Sequence, residues 1–91
     1  MKIMSNLPPT EFQLEQANKF LRIVGDELNL DDFDETLQND KAYALWDDIA
    51  VEEYERQGGE FLKDDPNEPS DHRLFEDCLQ FATDLIDKLS S

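Results

Sequence analysis

Nine apolar side chains near the C-terminal end recur at helical spacing, and no other feature restricts the fold so tightly. They are Leu74, Phe75, Cys78, Leu79, Phe81, Ala82, Leu85, Ile86 and Leu89. Wound as a helix they occupy about half the circumference. Arg73, Glu76, Asp77, Gln80, Thr83, Asp84, Asp87 and Lys88 fill the other half. The pattern predicts a helix over about 71–89, capped by Ser70 or Asp71. Its apolar face needs other helices to cover it.

The upstream segments supply them. Thr10, after Pro8-Pro9, reads as an N-cap, and Gln13 three residues on completes a capping box. Phe12, Leu14, Ala17, Phe20, Leu21, Val24 and Leu28 then follow helical spacing, with Gln16, Asn18, Lys19 and Arg22 opposite them. This predicts a helix over about 11–28, with Gly25 a weak point inside it. Asp31 or Asp32 can cap a short helix over about 31–38 that buries Phe33 and Leu37. After Asn39-Asp40 a third long helix should run over about 41–57. Ala42, Leu45, Trp46, Ile49 and Ala50 form its inward face, with Tyr43 and Tyr54 at the edge. Gly58-Gly59 stops it, since glycine takes the left-handed conformation without a Cβ clash. Glu53 falls within the apolar stripe; the helix leaves the core there, Arg56 pairs with it at i+3, or it is a functional buried carboxylate.

Residues 58–70 read as an acidic loop anchored by Phe61 and Leu62. No period-two run or Asn-Gly hairpin competes. The expected fold is all-α: one domain over 1–91, a small bundle of three main helices and one short helix, behind an irregular lead-in at 1–9.

Charge then limits what such a bundle can meet. Between Asp26 and Asp77 lie 19 of the 23 acidic residues and four bases, a net charge of −15 that equals that of the whole chain. The flanks cancel. A chain this acidic repels nucleic acid and anionic membrane surfaces, so neither is an expected direct ligand. No apolar run is long enough to span a bilayer, and no signal peptide is recognisable, so a cytoplasmic protein is expected.

Catalytic and metal chemistry find little to use. The single cysteine excludes an internal disulfide framework, and Cys78 sits within an apolar arc. His72, the single histidine, falls on a different helix face. An EF-hand loop starting at Asp65 would need ligands at Asn67, Pro69, Asp71 and Glu76; proline offers no side-chain ligand, and Ser70 replaces the turn glycine. Acyl carrier proteins need a serine in an Asp-Ser-Leu context, which no serine here has. The expectation is a protein that is not an enzyme, without cofactor, metal or catalytic residues.

The acidic charge itself is what remains. If the central segment covers half of a surface of roughly 5,500 Å², each carboxylate occupies roughly 140 Å². A DNA duplex presents one phosphate per roughly 100 Å². In charge, length and helicity the chain resembles two groups. One is the acidic DNA-mimic inhibitors of phages and mobile elements, which occupy the DNA-binding sites of restriction, CRISPR or other defence proteins. The other is the immunity proteins that cap basic nuclease toxins. Both resemblances imply a basic nucleic-acid-binding partner met through carboxylates. Three groups are candidates: Asp26, Glu27, Asp31, Asp32, Asp34 and Glu35; Asp47, Asp48, Glu52 and Glu55; and Asp64, Asp65 and Glu68. Tyr43, Trp46 and Tyr54 are candidate aromatic anchors. A regulatory subunit docking through an apolar helix face is the alternative, and homodimerisation stays open.

Overall fold

Thr10 caps the first helix as its spacing predicts. In the computed structural model, which describes residues 8–25 and 32–90, the Thr10 hydroxyl accepts from the Gln13 N–H and the Gln13 side chain accepts from the Thr10 N–H. Helix α1 spans Glu11–Val24. It is shorter than the predicted 11–28: Gly25 closes it at φ 51°, a conformation that favours glycine, so this residue is a terminus and not an interior weak point. Leu28 and Asp31 lie outside the described residues.

Helix α2 is a single turn, Phe33–Thr36, within the expected 31–38, and Asp32 precedes it without a side-chain cap. Helix α3, Asp40–Arg56, is capped by Asn39, whose Oδ1 accepts from the Lys41 and Ala42 N–H groups. Helix α4 runs His72–Ser90, and Asp71 Oδ1 accepts from the Leu74 N–H at its start. No helix among the described residues is long and apolar enough to cross a membrane.

Helix α3 packs against both α1 and α4, which also touch each other. Ala17, Phe20, Ile49, Ala50, Tyr54, Cys78, Ala82 and Ile86 are fully buried between them. Phe33 holds α2 against this core by stacking on Phe20 at 5.7 Å, next to Trp46. The radius of gyration is 13.1 Å, near the roughly 12 Å expected of a compact chain of this length, so apolar burial outweighs the self-repulsion.

Burial departs from the predicted helix faces in several places. Phe12 is 43% exposed, while Gln13 and Gln16, two polar residues, are buried. Gln13 is fully used: beyond the capping box, its Nε2 donates to the Ile49 carbonyl and to Glu53 Oε1, and its Oε1 accepts from Arg56. Glu53 is 1% exposed and lies 3.0 Å from Arg56, so the helix stays in the core and carries its carboxylate there paired. Tyr54, expected at an edge, is buried beneath Phe61 and Phe75 at ring distances of 5.2 and 5.4 Å. Leu62 is 44% exposed, so of the two expected anchors only Phe61 packs against the core, beside the buried Pro69. Thr83, expected outward, accepts the Trp46 indole N–H.

Candidate functional site

Along α3, Asp47, Val51 and Glu55 recur every four residues and so share one face. That face opens towards α4 and the loop between the two helices. The loop is closed on itself. Leu62 N–H donates to the Glu68 carbonyl, Ser70 N–H donates to the Glu60 carbonyl, and the buried Tyr54 hydroxyl ties Glu60 and Asp71 together. Gly59 makes this close approach feasible, since a Cβ there would meet the Tyr54 ring at 2.5 Å.

The result is a groove of about 660 Å³. Val51, Phe61, Phe75 and Leu79, all half-buried, form its apolar side. Asp47, Glu55, Glu68 and Glu76 line it with carboxylates, and the half-exposed Tyr43 ring stands with them, edge-on to Trp46 at 5.5 Å. Among the described residues Asp47, Glu55 and Glu76 have no ion-pair partner; Glu68 lies 3.7 Å from His72. Burial pushes the Asp47 carboxyl above its ordinary range, and the neighbouring charge of Asp48 adds to the rise. A carboxylate that is desolvated without a counter-charge gains from an incoming cation.

The structure brings Asp47, Glu55 and Glu68 together and leaves the other described candidates apart. Asp48 and Glu52 do not share the Asp47–Glu55 face. They point to α1, where Gln16 Nε2 and the Thr10 hydroxyl donate to them at 3.5 and 3.2 Å. Asp34 and Glu35 are exposed on the α2 turn, and a hydrogen bond with Asp32 and the charge of that residue raise the Glu35 carboxyl. Asp64 and Asp65 are exposed in the loop, Asp65 accepting from the Asn67 N–H. Asp26, Glu27 and Asp31 lie outside the described residues. Of the aromatic anchors Tyr43 is available, Trp46 is half-buried, and Tyr54 is not available because it is core.

Glu76 is the groove residue that the acidic clusters overlook. The signal for it was its position four residues after His72 and three before Leu79, at the seam of the apolar arc. Cys78 is buried, and burial raises its thiol to about 12, so it offers no thiolate at neutral pH. No group of three or more His, Cys, Asp or Glu among the described residues is placed to hold a metal ion.

What the groove offers is a match for a lysine or arginine side chain. The aliphatic stem would lie on the aromatic floor and the charged head among the carboxylates. No protein-family model matches this chain, and no curated protein or solved structure is significantly similar to it.

Proposed function

We propose that this chain is a non-enzymatic inhibitor that binds the basic, nucleic-acid-binding surface of a partner protein in the cytoplasm. The partner class is a nuclease, a restriction or CRISPR component, or a toxin. In the first cases the chain is an anti-defence protein of a phage or mobile element, acting as a DNA mimic. The observation that carries this reading is the α3–α4 groove, where three carboxylates without ion-pair partners among the described residues and a half-exposed tyrosine surround an apolar floor. Solubility alone would place carboxylates on convex, fully hydrated surface and would not desolvate Asp47.

The test compares two variants of equal charge. One carries Asp47→Asn, Glu55→Gln, Glu68→Gln and Glu76→Gln. The other carries Asp34→Asn, Glu35→Gln, Asp64→Asn and Asp65→Asn. Each moves the net charge of −15 by four, to −11. Affinity is measured for a partner captured from a host lysate, with duplex DNA as competitor. The groove variant should lose affinity by at least about a hundredfold, as charge-assisted bonds of ~1.5–3 kcal/mol each are removed, and the control far less. Equal losses, or simultaneous binding of DNA and this protein to the partner, refute the proposal.

A further inference from the structure

A second depression, of about 450 Å³, lies between the end of α1 and the start of α3, and its electrostatics are the reverse of the first. Ile23, Ala44 and Leu45 form an apolar floor, and Ile23 is 36% exposed. Lys19, Arg22 and Lys41 complete the lining, which contains no carboxylate among the described residues. In a chain with 23 acids, these three of its eight bases make no ion pair among the described residues. Their aliphatic stems extend the apolar surface, and their heads leave its rim positive.

We propose that this depression binds a free single-chain amphiphile with one anionic head, such as a medium-chain carboxylate. The apolar floor calls for a hydrocarbon chain and the three cations call for an anion. The size of the anion follows from the rest of the molecule. A polyanion, an anionic membrane, an acidic protein or a second copy of this chain meets the whole net charge of −15 on approach. A small ligand with one charge, once inside the depression, meets first the three cations that line it, and salt screens its repulsion from more distant carboxylates. The volume lies within the ~300–1,000 Å³ of small-molecule sites. Because the depression covers only one flank of its ligand, the expected Kd for a twelve-carbon carboxylate is about 1 mM.

The experiment is a titration of the ¹⁵N-labelled protein with sodium dodecanoate below its micelle threshold, followed by amide shifts. Saturable shifts centred on Lys19, Ile23, Lys41 and Leu45 are expected. The variant Lys19→Gln, Arg22→Gln, Lys41→Gln should bind at least about tenfold more weakly, and each single substitution about two- to fivefold. The single variants decide the matter if the triple variant does not fold. Dodecanol and dodecyltrimethylammonium should leave these amides unshifted. Absence of saturation at several millimolar, equal shifts with dodecyltrimethylammonium, unchanged affinity in the variants, or recruitment of the protein to phosphatidylglycerol vesicles would each overturn the proposal.

Discussion

Arg56 and Glu53 should contribute unequally to stability, and the asymmetry follows from where each side chain lies. Arg56→Met keeps the aliphatic stem and removes the charge. It breaks hydrogen bonds of 3.1, 3.0 and 3.0 Å to Gln13 Oε1, Glu53 Oε1 and the Pro8 carbonyl. It also leaves a carboxylate that is 1% exposed with only the neutral amides of Gln13 and Gln57 as donors. Removing one partner of a fully buried pair costs ~3–5 kcal/mol. Those two amides remain and the Arg56 side chain is 21% exposed, so we expect about 2–4 kcal/mol here. Glu53→Leu removes the buried charge instead. Arg56 then keeps Gln13, Pro8 and access to water, and the loss should be about 1 kcal/mol. The double variant should also lie within about 1 kcal/mol of wild type, giving a coupling of at least about 2 kcal/mol. Urea denaturation followed by circular dichroism is the assay. With a slope near 2 kcal/mol/M, Arg56→Met lowers the midpoint by roughly 1–2 M. The reasoning fails if Glu53→Leu costs as much as Arg56→Met, or if Arg56→Met costs less than about half a kcal/mol.

Three further outcomes are expected. Gly59→Ala drives a methyl group into the Tyr54 ring at 2.5 Å and should destabilise the protein by about 1–3 kcal/mol, with loss of near-ultraviolet tyrosine dichroism as the loop detaches. Asp47 binds its proton more tightly folded than unfolded, so its charge opposes folding at neutral pH, and that penalty fades as pH falls through its raised folded-state pKa towards the ordinary carboxylate range. Asp47→Asn should therefore raise stability at pH 7 by less than about 1 kcal/mol, after discounting for solvent screening, and the gain should vanish in melts at the acidic end of that window. The wild-type melting point should rise between 20 and 500 mM salt as self-repulsion is screened; a melting point unmoved by salt contradicts this.

The helices were legible in the sequence because their signals are local. The Thr10–Gln13 capping box, the Asn39 restart, the Gly58 stop and the Asp71 cap each lie within a few residues of the backbone groups they satisfy. The nine-residue apolar stripe of α4 similarly needs no partner to be recognised. Gly25 was read as interior because the apolar spacing runs on to Leu28, while the backbone had already turned into the positive-φ region. Depth and direction were another matter. Helical periodicity places a side chain around its own axis, but not relative to the side from which a neighbour approaches. Helix α3 is covered by α1 on one flank and α4 on the other. Tyr54 is therefore core and not edge, and Gln13 is drawn inward to serve Glu53 and Arg56. The same packing divides four carboxylates that the sequence groups together: Asp48 and Glu52 turn towards α1, while Asp47 and Glu55 face the groove, where Glu68 and Glu76 join them from separate segments. Charge density was a property of the sequence. Which charges stand together was decided only when the helices packed.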